Sequence, residues 1–105
     1  MTLYQLRFTI PQQRQGDRQT YQSFAVTVQR MLDMIDKTLD GATVKNVEVT
    51  TGSVRGVVKI EARDYAAALS LCCRKAPIID LEWHLEECID PTRVQAILLD
   101  AMRQP

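Results

Sequence analysis

One histidine, three cysteines and a handful of charged strand residues hold whatever chemistry this sequence offers. His84 lies between Glu82 and Glu86, and at two-residue spacing on a strand all three side chains share one face. An imidazole beside carboxylates is the raw material of general acid–base catalysis. With Arg7 as an anion holder, His84 would make a small active site. The plainer reading of the same residues, and the preferred one, is a solvated acidic edge that carries a histidine. Cys72 and Cys73 are adjacent in a helical stretch, where neighbours point about 100° apart and cannot both face one ion. They read as one buried and one half-exposed thiol. No metal site and no cofactor are expected. The glycines at 16, 41, 52 and 56 form no phosphate-cradling motif.

Composition narrows the partners. The 105 residues suit one domain, 1–105, with a modest core. Thirteen basic residues balance thirteen acidic ones, so no net field draws nucleic acid or an anionic membrane. No apolar run approaches the roughly 18 residues of a membrane span. The opening MTLYQLRFTI has neither the basic n-region nor the long apolar stretch of a signal peptide. Cysteines that are odd in number and partly adjacent bridge poorly, so reduced thiols and a cytoplasmic location are expected.

The elements that must position these residues follow from periodicity. Tyr4, Leu6, Phe8 and Ile10 alternate with Leu3, Gln5, Arg7 and Thr9, which predicts a half-buried strand ended by Pro11. The polar stretch 12–19, containing Arg14 and Arg18, reads as a loop. Tyr21, Phe24, Ala25, Val28, Met31, Leu32, Ile35 and Leu39 recur at helical spacing. They predict a helix of about five turns, with Thr20 as N-cap, an Asp33–Lys37 pair and Gly41 at the C′ position. Val47 and Val49 mark a second strand, Thr51-Gly52-Ser53 a turn, and Val54 to Ala62 a third strand with Val58, Ile60 and Ala62 inward. Asp64 caps a helix from Tyr65 to about Lys75, with Tyr65, Ala68, Leu69 and Cys72 as its core stripe and Pro77 beyond it. Leu81, Trp83 and Leu85 mark a fourth strand. Asp90-Pro91 then opens a helix over about 91–104.

This order predicts an α+β fold: a ferredoxin-like βαββαβ sandwich, four antiparallel strands with two helices on one face, plus a C-terminal helix. The uncovered face would carry Leu3, Gln5, Arg7, Thr9, Glu48, Thr50, Arg55, Val57, Lys59, Glu61, Glu82, His84 and Glu86. RNA recognition on such a sheet needs aromatics on that face. Here Tyr4 and Phe8 point inward, so nucleic-acid binding is not expected.

The stretch Gly56-Val57-Val58-Lys59-Ile60-Glu61-Ala62 is followed by Asp64-Tyr65-Ala66-Ala67-Ala68-Leu69, Lys75-Ala76-Pro77 and Leu81-Glu82-Trp83. Together these resemble the C-terminal half of YCII-like domains, over about half the chain. The resemblance implies a dimeric α+β barrel of the same topology. The Asp-Gly-Pro run and paired histidine typical of that family are absent, since Thr51-Gly52-Ser53 stands in that place, and its active site is not carried over. Arg7, Lys59, Glu61, Glu82 and Glu86 also make the face more charged than a barrel interface is expected to be.

The function expected is a non-catalytic binding or regulatory module that is homo-oligomeric, most simply a dimer, or bound to another protein. Its binding residues would be Arg7, Lys59, Glu82, His84 and Glu86 on the face, with Arg14 and Arg18 in the loop. Val94, Ile97, Leu98 and Ala101 of the last helix would form an oligomer interface, or fold back over Leu3 and Val57. A small YCII-like enzyme using His84 as acid or base, with a small-molecule ligand, is the alternative.

Overall fold

The structure, a computed structural model, describes residues 1–50, 54–89 and 91–103. The chain is α+β, with five antiparallel strands and three helices. In chain order these are β1 (Thr2–Thr9), α1 (Arg18–Asp33), β2 (Thr38–Leu39), β3 (Ala42–Thr50), β4 (Arg55–Ala62), α2 (Tyr65–Lys75), β5 (Glu82–Glu87) and α3 (Pro91–Arg103). Short 3₁₀ turns at Gln12–Arg14 and Ile78–Asp80 lead into α1 and β5. The strands lie side by side in the order β2-β3-β4-β1-β5, so β1 is flanked on both sides while β2 and β5 form the edges.

Alternation along β1 and β4 decides which side is core. Leu6, Phe8, Val58 and Ile60 are fully or almost fully buried, while Leu3, Arg7, Arg55 and Glu61 on the opposite face are exposed. Helices α1 and α2 lie over the buried side and complete the core with Phe24, Met31, Ala68, Leu71 and Cys72. Each large buried side chain contributes about 1.5–3 kcal/mol to that side. Phe8 stacks at a tilt on Phe24, with ring centroids 5.2 Å apart. The far end of its ring also lies against Gly56 on the neighbouring strand, where any Cβ would stand closer than 3.0 Å to Cζ and both Cε atoms.

Several expectations are corrected here. The sheet has five strands, because residues 38–39 belong to β2 and not to the first helix. Helix α1 begins at Arg18 behind an Asp17 N-cap, whose carboxylate accepts from the Gln19 amide at 3.0 Å and from the Thr20 hydroxyl at 3.0 Å. It ends at Asp33, after which Asp36 takes a left-handed conformation (φ 63°). Leu32, Ile35 and Leu39 prolong the helical spacing past that point, which is why periodicity alone runs on too far. Lys37 is therefore beyond the helix, and Asp33 accepts from Gln29 instead at 3.0 Å. Gly41 is not a helix cap. Asp40 (φ 49°) and Gly41 (φ 82°) form the two-residue turn between β2 and β3, a place that favours Asp-Gly.

Further corrections concern which helix faces are inside and where β3 begins. On α1, Tyr21, Ala25 and Leu32 are exposed, whereas Thr20, Ser23 and Thr27 are buried beside Phe24 and Met31. Those hydroxyls are all satisfied: Ser23 donates to Asp80 Oδ2 at 3.0 Å and Thr27 to the Ser23 carbonyl at 2.8 Å. On α2 the Asp64 cap forms, its carboxylate accepting from the Ala67 amide at 2.8 Å. The buried residues are Ala67, Ala68, Leu71 and Cys72, while Tyr65 is exposed and rests edge-on against Tyr4. Strand β3 begins five residues before Val47, and Lys45 sits at a bulge between Val44 and Asn46. The bulge shifts the alternation by one, so that Val44 and Val47, three apart, both pair across from core residues. The expected Thr51-Gly52-Ser53 turn and Asp90 cap lie outside the described residues.

Helix α3 stands apart from this core. None of its residues is buried, and the molecule measures 53 × 32 × 22 Å with a radius of gyration of 15.9 Å, against about 13 Å for a compact chain near this length. The packing of Phe8 over Gly56 gives a direct test. Gly56→Ala should lower the urea midpoint by an amount equivalent to on the order of 1–3 kcal/mol, since the ring must leave its place. An unchanged midpoint would show that the strands can spread at no cost.

Candidate functional site

Strand register assembles the open face into rows. Arg7 lies between Val57 and His84; Gln5 lies between Lys59 and Glu86; Thr9 lies between Arg55 and Glu82. The face is therefore a lattice of both signs. Arg7 Nη2 donates to Glu86 Oε1 as an ion pair, and Lys59 Nζ donates to Gln5 Oε1 while standing 3.7 Å from Cys88 Sγ. The Arg7 and Glu86 side chains are about half exposed, at 48% and 57%, so their pair contributes only about 0–1 kcal/mol.

The sequence-selected face residues Arg7, Lys59, Glu82, His84 and Glu86 are thus brought onto one surface. Arg14 and Arg18 are exposed in the connection after β1, at the end of the 3₁₀ turn and at the start of α1. Val94, Ile97, Leu98 and Ala101 are exposed on α3, together with Leu99 and Met102. The helix does not fold back over Leu3 and Val57: Leu3 is exposed and Val57 is half-buried between its strand neighbours.

A shallow depression of about 230 Å³ opens on the face, lined by Arg7, Phe8, Thr9, Arg55, Glu82 and His84. Its lining comes from three strands, β1, β4 and β5. The Thr9 hydroxyl donates to the Val54 carbonyl at 2.8 Å, and Arg7 on the rim is ion-paired with Glu86. What remains is a recess smaller than the roughly 300–1,000 Å³ of ordinary ligand pockets. His84 is exposed, and no hydrogen bond to another described residue orients its ring. Arg55 lies on this recess through its pairing with Thr9, which becomes legible only once the β1–β4 register is known.

A second hollow of about 270 Å³ between the ends of α1 and α2 was not anticipated; Val26, Arg30, Arg74, Lys75, Ala76 and Pro77 line it. Arg74 there binds Asp40 Oδ2 at 2.7 Å. Among the described residues no three His, Cys, Asp or Glu side chains are grouped to hold a metal ion. No described helix is long and apolar enough to cross a membrane.

Fold and surface together define an α+β domain with one helix-covered sheet face, one charged open face and an unpacked terminal helix. No known family model matches the chain, and no curated protein matches it.

The thiols differ sharply in environment. Cys72 is buried, Cys73 exposed and Cys88 intermediate; burial, and then the neighbouring Cys73, push the Cys72 thiol up to about 12 from an ordinary 9.0. A thiol held protonated in the folded state, but free to ionise when unfolded, costs stability as pH rises from about 9 toward 12. Replacing Cys72 with Ala should flatten that alkaline loss, read as the pH dependence of the urea midpoint. A thiol reagent should modify Cys73 in the native protein and Cys72 only after denaturation. Equal rates at the two would contradict this burial.

Proposed function

We propose that this chain is a non-catalytic binding or regulatory module of ferredoxin-like topology that acts through protein–protein contacts, as a homodimer in the cytoplasm, with α3 as its contact element. One observation carries the reading: α3 is an amphipathic helix whose Val94, Ile97, Leu98, Leu99 and Met102 are all exposed. An isolated helix shorter than about 12–15 residues is marginal in water, and most helices draw their stability from an apolar face packed on something. A 13-residue helix with no such packing in its own chain gains it from a neighbour.

The ferredoxin-like assignment draws support from strand order. Leaving β2 aside, the strands run β3-β4-β1-β5, with α1 following β1 and α2 following β4. Arg7, Lys59, Glu82, His84 and Glu86 form the second contact surface, suited by its alternating charge to a partner surface of the opposite pattern. The openness of the recess beside His84 favours a contact surface over a reaction chamber. A cytoplasmic location rests on the three free thiols.

Light scattering on the full chain tests the reading. The native protein should exceed its 12.0 kDa chain mass, and the double variant Ile97→Glu, Leu98→Glu should return to it with an unchanged urea midpoint, since neither side chain belongs to the core. A native mass of one chain at every concentration, or assembly that survives the double variant, would overturn the role given to α3.

A further inference from the structure

We infer that α3 pairs antiparallel with α3 of a second copy, in a register set by two reciprocal contacts between Arg93 of one chain and Asp100 of the other. This deepens the proposed self-association and rests on it. The starting observation is that both charges stand at the wrong ends of their own helix. Arg93 lies in the first turn of Pro91–Arg103 and Asp100 in the last, whereas the helix dipole favours anions at the N-terminus and cations at the C-terminus. Neither side chain has an ion-pair partner among the described residues. Among the described residues of one chain, then, each charge disfavours the helix and has no ion pair in return.

Position on the helix supplies the reason. Seven residues apart, Arg93 and Asp100 return to the same flank of the stripe formed by Val94, Ile97, Leu98 and Ala101. When two such stripes meet antiparallel about a two-fold axis, like flank faces like flank. With Val94 near Ile97 of the second copy, Arg93 then comes beside Asp100 of that copy, and the reverse contact follows by symmetry. Each charge also moves next to the opposite end of the neighbouring helix, where the dipole favours it. A parallel pair would instead set this flank against Pro91 and Leu98, which offer no charge. The pattern is self-complementary in one orientation only. A 13-residue seam is about 20 Å long, well short of the roughly 800 Å² per partner of a standard interface, so the dimer is reversible and concentration-dependent.

Charge exchange on the full chain tests this. Arg93→Asp and Asp100→Arg each turn two attractive contacts into two repulsive ones, and each should weaken the dimer on the order of ten-fold by sedimentation. The double exchange should restore it, and an equimolar mixture of the two single variants should form a heterodimer as tight as the native homodimer. Both single exchanges improve the match to the helix dipole, so the loss cannot come from a weaker helix. Should the Ile97→Glu, Leu98→Glu variant be monomeric while the charge exchanges leave affinity unchanged, α3 remains the contact element and the antiparallel pairing is wrong. A native chain that never dimerises removes both.

Discussion

The structure depends on β1 being held from both sides. Its neighbours β4 and β5 pair with it over most of its length, so the strand can neither slip nor rotate without losing two ladders at once. A one-residue slip would turn Leu6 and Phe8 to solvent and Arg7 into the core. The close seat of Phe8 over Gly56 locks that choice further, since only a glycine on β4 lets the ring lie there. The open face follows from the same constraint. Once Tyr4, Leu6 and Phe8 are inward, Gln5, Arg7 and Thr9 must point outward, and the registers bring Lys59, His84 and Glu86 beside them.

Much of this was legible in the sequence, and what was not has identifiable causes. β1, β4 and β5 have strict alternation, and α2 has an Asp cap, so their positions follow directly. The interior of α1 misleads because its buried face uses Thr20, Ser23 and Thr27. Hydroxyls that bond locally or to Asp80 behave as core residues, though hydropathy ranks them as surface. The end of α1 misleads because Asp36 stops the helix with a left-handed backbone that an apolar pattern does not register. The Lys45 bulge hides half of β3, since Val44 and Val47 fit neither period alone.

The candidate site was legible as a face but not as a shape. Alternation places Arg7 and His84 outward, yet the recess at Thr9 takes its lining from three strands, which no single strand reveals. Arg14 and Arg18 could be assigned to a polar connection, while the 3₁₀ turn at Gln12–Arg14 and the start of α1 at Arg18 were not legible there. For α3, composition announced a helix with an apolar stripe. Only the structure showed that this stripe is left exposed and not folded over Leu3 and Val57.

The sheet edges bear on what kind of assembly such a molecule can sustain. β5 is an edge strand, and exposed edges invite strands of other molecules to add without limit. Two copies of β5 aligned antiparallel about His84, or about the point between His84 and Leu85, would set Glu82 against Glu86 or Glu87, carboxylate against carboxylate. The opposite edge, β2, is only two residues long. Growth by strand addition is therefore discouraged at the β5 edge, whereas β2 covers only Ala42 and Thr43 of the nine-residue β3. Were two chains to join through α3 as proposed, the acidic β5 edge would not extend that contact into a fibre.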